Sequence, residues 1–235
     1  MRKEGKADVI PISRATLHDQ VSARLRTMLV EGHIAPGAKL NERELCEQLQ
    51  VSRTPLREAI KLLAAEGLAD LLPNRGAVAV KLGEADVVNT FEVLASLEGL
   101  SGELAAQRIT GAQLAEIRAL HYEMLACFTR RDLSGYYRLN AQIHSAINAA
   151  AANPVLVGTY RSINARVQSL RFRTNQNEAK WKHAVKEHER MVDALVAHDA
   201  AAMRTVLVDH LLRKRDTVLE LMRAGNLQAP GGART

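Results

Sequence analysis

The sequence predicts a mainly α-helical protein: three helices and a β-hairpin over the first 82 positions, then an all-α antiparallel bundle of about six helices. Three observations predict it. Of 235 residues, 47% are apolar but only 3% are aromatic, so the core is built from Leu, Ala, Val and Ile, which favours helices over sheets. Apolar residues recur at helical spacing along most of the chain. Alternating extended runs flanking a Pro-Asn-Arg-Gly turn occur once, at 68–82. The length suits one large domain or two small ones.

The elements follow in order. Residues 1–15 are polar and read as a flexible arm. Helical spacing begins near Thr16, with Leu17, Val21, Leu25, Met28 and Leu29 on one face, and stops at Gly32, Pro36 and Gly37. Asn41 is the N-cap of a short helix, "ERELCEQL". "QVS" is a turn, and the next helix opens at about Thr54-Pro55, where the missing proline N–H is not needed. Gly67 ends it. "LADLL" and "AVAVKL" then form a hairpin around "PNRG". Helices are expected at about 84–109, 111–131, 132–152, 154–174, 177–198 and 199–224. They break at Thr110-Gly111, Arg131-Asp132, Asn153-Pro154, Asn175–Asn177, Asp199 and Gly225. The boundary near Lys81–Ala85 divides a unit at 16–82 from one at 83–225, and the tail at 226–235 is expected to be disordered.

The net charge is +6 and the pI about 9.5, compatible with a polyanionic partner. The excess is +3 in residues 1–82 and +3 in the rest, so a nucleic-acid site must be a local patch. Cys46 and Cys127 lack metal-ligand or redox spacing and are expected to be reduced and mostly buried. No stretch approaches the ~20 apolar residues of a membrane span, so the chain is expected to be cytoplasmic with no membrane partner. No nucleophile motif, phosphate loop or dinucleotide fingerprint appears, which argues against an enzyme.

The helix that follows "QVS" has two faces. At ~100° per residue from Arg53, Arg57, Lys61, Thr54 and Glu58 fill one arc, and Leu62, Ala59, Leu63, Leu56 and Ile60 fill the other. The apolar arc is expected to pack on the two preceding helices. The polar arc presents long donors at the positive end of a helix, as a DNA major groove requires. Asn74, Arg75 and Gly76 form a hairpin tip able to reach an adjacent groove, and Arg43 is placed over a phosphate. "PGAKLNERELCEQLQVSRTPLREAIKLLAAEGLADLLPNRGAVAV" resembles the winged helix-turn-helix of the GntR family of bacterial transcription regulators. The resemblance covers about residues 16–82 and implies double-stranded DNA as partner. It implies DNA contacts at Arg43, Ser52, Arg53, Thr54, Arg57, Arg75 and Gly76.

The second half holds a histidine set. Asn140 and His144 lie at i and i+4, and His188 and His210 fall on later helices. Helices packed side by side would bring them to one point, where imidazoles and an oxygen suit Zn²⁺, Ni²⁺ or Mn²⁺. Each histidine alone reads equally as a surface or core-edge residue. His18, His33, His121, His183 and His198 are read as surface residues.

Residues 84–224 resemble the FCD-type ligand-sensing domain that accompanies this winged helix in one branch of the family. That resemblance implies a divalent transition metal at Asn140, His144, His188 and His210, with Asn140 the weaker, uncharged ligand. It implies a small organic acid effector docking near the metal. It also implies a homodimer on a short inverted repeat, with repression released by the effector. Many members carry an arginine where this chain has Leu94, four residues before Glu98. Arg171 or Arg173, in "SLRFRTNQ", is the candidate replacement, and both read equally as surface charges. A regulator that answers to the metal alone stays open. A metal-dependent enzyme would need an acid beside the metal: Glu187 and Glu189 point about 100° to either side of His188, and Glu98 is unplaced.

Overall fold

The structure, a computed structural model, describes residues 17–173 and 178–225, with the side chains at 173, 178 and 179 outside that description. The expected arm, the expected tail and the break at Asn175–Asn177 therefore lie outside the described residues. The elements run α1 (Leu17–Val30), α2 (Glu42–Leu49), α3 (Arg53–Ala65), β1 (Ala69–Leu72) and β2 (Gly76–Ala79). They continue as α4 (Glu84–Arg108), α5 (Gly111–Thr129), α6 (Leu133–Ala150), α7 (Pro154–Arg173), α8 (Glu178–Val196) and α9 (Ala200–Arg223). The fold is mainly helical, three helices and a hairpin followed by a helical bundle, as the sequence predicts.

Side-chain chemistry sets the helix ends. The Asn41 amide oxygen accepts from Arg43 N–H at 3.1 Å and opens α2. Gln50 adopts φ 54° and closes α2 in the left-handed conformation. Ser52 stands at the N-cap of α3 without a side-chain cap bond, and Arg53 is the first helical residue, one residue earlier than expected. Thr110, Asp132 and Asp199 each accept a backbone N–H three residues on and start α5, α6 and α9. β1 and β2 pair antiparallel, with Ala69 opposite Ala79 and Leu72 opposite Gly76. β1 begins one residue later than the expected run and ends with it at Leu72, whereas β2 begins one residue earlier and stops short. β2 ends at Ala79, because the chain must leave the sheet to start α4 at Glu84.

The first core joins Val21, Leu25 and Leu29 of α1, Leu45 of α2, and Leu56, Ala59, Ile60 and Leu63 of α3 under the hairpin. The apolar arc of α3 packs inward as predicted, except Leu62, which is 38% exposed. It sits at the arc's edge, 180° from Arg53. In the bundle, α4 runs against α9. Close approach depends on Gly99 and Gly102. A Cβ on Gly99 would stand 2.8 Å from Val208 Cγ2, and one on Gly102 would collide with Leu207 and Met203. The scarce aromatics are mostly interior: Trp181 stacks edge-on against Tyr136 and Phe128, and Phe91 is fully buried. Cys46 and Cys127 are free and half-buried rather than mostly buried, since each lies at the margin of its core. Among the described residues no helix is long and apolar enough to cross a membrane.

Candidate nucleic-acid interface and metal centre

The outer face of α3 is polar and open. Ser52, Arg53, Thr54, Arg57 and Lys61 are exposed, as are Arg43 on α2 and Arg75 and Gly76 at the hairpin. Arg75 N–H bonds back to the Leu72 carbonyl, and Asn74 at φ 59° and Gly76 at φ 84° turn the tip. Arg57 Nε lies 2.9 Å from Glu42 Oε2 in an exposed ion pair. Such a pair is worth about 0–1 kcal/mol, so a phosphate can displace it at little cost.

The second site is interior. His144 from α6, His188 from α8 and His210 from α9 are 2%, 1% and 0% exposed. Their ring centroids stand 5.2, 5.4 and 5.5 Å apart, and one ring nitrogen from each lies within 4.8 Å of the others. Two rings are held by carboxylates. His144 Nδ1 is 2.9 Å from Glu98 Oε2, and His210 Nδ1 is 2.7 Å from Glu187 Oε2. Each acid fixes its ring and leaves Nε2 as the remaining nitrogen. His144 Nε2, His210 Nε2 and both nitrogens of His188 are buried without a hydrogen-bond partner. Unpaired buried nitrogens are costly, and three converging imidazoles, two of them backed by carboxylates, suit a divalent metal.

Electrostatics keep His188 and His210 neutral. Burial, then the neighbouring imidazoles, hold His188 and His210 well below the ordinary histidine value. Burial alone would raise Glu98, but His144 and Arg171 beside it outweigh that and hold it below the usual carboxylate range. Asn140 is buried one helical turn before His144, on the same face of α6.

Two family descriptions match this chain: "Bacterial regulatory proteins, gntR family" over residues 17–78 and "FCD domain" over residues 89–213. The chain belongs to the GntR family, in the branch that carries an FCD domain. It is 30% identical over 202 residues to the Nta operon transcriptional regulator of Aminobacter aminovorans, covering 83% of this chain and 91% of that one. It is 25% identical over 205 residues to the HTH-type transcriptional repressor RspR of Escherichia coli K12, covering 87% and 90%. The E. coli McbR/YncC structure superposes with a TM-score of 0.78 at 22% identity, covering 88% of this chain and 99% of that one, which shows a shared fold. As a GntR-family protein with these relatives, the chain is a DNA-binding transcription regulator and not an enzyme.

Within this GntR-family frame several expectations change. His121 is buried, not on the surface, because Ile117, His121 and Met124 form the inward stripe of α5. Arg171 is buried too, 2.6 Å from Asn164 Oδ1 and 3.5 Å from Glu98 Oε1. The reading of it as a surface charge fails because α7 turns this face toward α4. The side chain of Arg173 lies outside the described residues. Leu94 is fully buried among Phe91, Ala95 and Tyr160, so no guanidinium stands at that position. Sequence spacing does not mark Glu98 and Glu187 as supports. Glu187 does point away from His188, and so reaches His210 on the next helix, along with Arg213 Nε at 2.6 Å. Two buried glutamates on apolar helix faces were the available signal, since a buried acid requires a partner.

Proposed function

We propose that this regulator reads a short inverted-repeat operator as a homodimer and senses a small organic acid at a metal held in its bundle. The division at 82/83 separates the two tasks: residues 16–82 bind DNA and 83–225 bind the effector. On this reading Arg53, Thr54 and Arg57 enter the major groove. Ser52 and Arg43 meet phosphates, and Arg75 and Gly76 approach from the hairpin. Val93 and Leu100, 48% and 37% exposed, lie on one side of α4 and support pairing of two bundles. A cytoplasmic location follows from the DNA target.

The observation that carries the sensing half is the three-histidine cluster with its unpartnered nitrogens. His144, His188 and His210 hold the ion, Zn²⁺, Ni²⁺ or Mn²⁺, and Asn140 adds an amide oxygen. With neutral ligands the ion's charge attracts a carboxylate. A cavity of about 490 Å³ between α8 and α9 has His210 and Glu187 in its wall, with Lys180, Arg213 and Lys214 around them. Lys180 pairs with Glu220 and Arg213 with Glu187 in that wall, so the ion itself supplies the positive charge that draws the carboxylate. The RspR and galactonate operon relatives bear the name repressor, which supports repression released by the effector.

The test is to select bound sequences from random duplexes and measure affinity for the recovered operator with metal-loaded and metal-stripped protein, with and without a panel of small carboxylates. The proposal expects a two-fold symmetric operator released by one acid class only when metal is present. Loss of affinity on metal removal with no response to any acid would make the metal itself the signal. Equal affinity for all duplexes would contradict the DNA-reading half.

A further inference from the structure

Helix α7 has two working faces. At ~100° per residue, Tyr160, Asn164, Val167 and Arg171 share one side, and Ser162, Ala165, Arg166 and Ser169 share the other. The first side grips Glu98. Tyr160 Oη donates to Glu98 Oε1 at 3.1 Å, and Arg171 Nη1 stands 3.5 Å from the same oxygen while bonding Asn164. The other oxygen of Glu98 faces His144 Nδ1. The second side is part of the winged-helix core. Ala165 is buried with Leu25, Leu29, Leu63 and Leu68, and Arg166 covers Gly67, its Cγ 2.8 Å from where a Cβ there would stand. Gly67 at φ +78° is the turn that ends α3, with Gly67 N–H bonded to the Ala64 carbonyl and Leu68 N–H to the Leu63 carbonyl.

We infer that Tyr160 and Arg171 are positioning residues that tie α7 to His144 through Glu98, so that α7 relays the state of the histidine cluster to the end of the recognition helix. The physical reason is that Glu98 is shared. An ion on His144 Nε2 strengthens the pull between Nδ1 and the carboxylate oxygen 2.9 Å from it. The other oxygen is fixed to α7, so reorientation of the imidazole must be met by movement of that helix. Close-packed helices shift as bodies, and the opposite face of α7 has the α3 terminus against it. The route uses one helix and no flexible joint. It rests on the metal reading above.

Hydrogen exchange reads this directly on the full-length chain, stripped of metal and then loaded with Zn²⁺. In the wild type, Zn²⁺ should slow the amides of residues 62–68 by roughly 5- to 150-fold, the usual range of coupling between sites. Arg171→Met should still take up one ion per chain and lose most of that slowing. Tyr160→Phe, which removes one oxygen, should lose part of it. Arg166→Ala, an exposed change at the far end, should also lose part, which keeps the test open if Arg171→Met fails to fold. Co²⁺ bound to Arg171→Met should show a changed visible spectrum, since His144 is no longer oriented as in the wild type. Zn²⁺ uptake by the wild type with no slowing at residues 62–68, or full slowing in all three variants, overturns the relay alone. No Zn²⁺ uptake by the wild type overturns the metal reading and the relay with it.

Discussion

The winged helix and the bundle place their polar chemistry in opposite settings. Arg53 and Arg57 stand exposed on α3, and Arg57 holds only a solvent-facing ion pair with Glu42. His144, His188 and His210 are at most 2% exposed, and two of them are held by buried acids. An exposed contact residue costs the fold little and needs no partner until a ligand arrives. Burying a polar group without a partner is costly, so supports for two of the three rings are built into neighbouring helices. The surface site is thus a property of one helix face, whereas the interior site belongs to α4, α6, α8 and α9 together.

The largest effect should come from emptying the interior site. His188→Ala with His210→Ala should lower the metal content of the purified protein from one ion per chain to none, while binding to the recovered operator persists. A variant that keeps its ion would break the assignment of the site. On the exposed side, Arg53→Ala and Arg57→Ala should each weaken operator binding by about 1–3 kcal/mol. Gel-shift titration checks this, and metal uptake should be unchanged. Normal affinity in both variants would remove α3 from the interface. Glu187→Gln should retain the three ligands but lower metal affinity by roughly 10- to 100-fold, because His210 loses its charged support. Competition with a chelator reads this, and an unchanged affinity would make Glu187 a packing residue.

A smaller effect separates the two regions by pH. Burial pushes the Tyr137 phenol up to about 12 from an ordinary value of 10.0, and its hydroxyl donates to the Gln168 carbonyl across α6 and α7. A group whose folded value is raised contributes stability that is complete below its unfolded value and lost as pH climbs through the folded one. The α6–α7 contact should therefore weaken between pH 10 and about 12. Tyr137→Phe should remove that alkaline component from melting curves. Least of all should come from Leu62→Ala, which replaces a 38% exposed side chain and should change stability by no more than about 0.5 kcal/mol. A cost near that of a core leucine would show that a partner covers this edge of α3.

The two regions were also unequally legible. The arcs of α3 follow from spacing alone, and only Leu62 strayed, at the margin where periodicity does not say which neighbour reaches it. Asn41, Gly67, Asp132 and Asp199 mark helix ends because capping is local chemistry. The histidines were visible as residue types, but their supports were not. Glu98 and Glu187 meet their imidazoles only after α4 packs on α6 and α8 on α9, a tertiary event that no spacing encodes. The surface readings of His121 and Arg171 fail for the same reason: a polar residue on a half-apolar helix looks solvent-facing until the neighbour that covers it is known.

The measurement that tests the central claim most directly is X-ray absorption at the metal edge of the purified protein, with the ion content of the same sample. One ion per chain, coordinated by three imidazole nitrogens with the remaining ligands oxygen, is the predicted result. A chain without metal after exposure to Zn²⁺, Ni²⁺ and Mn²⁺, or an ion lacking imidazole ligands, would contradict it.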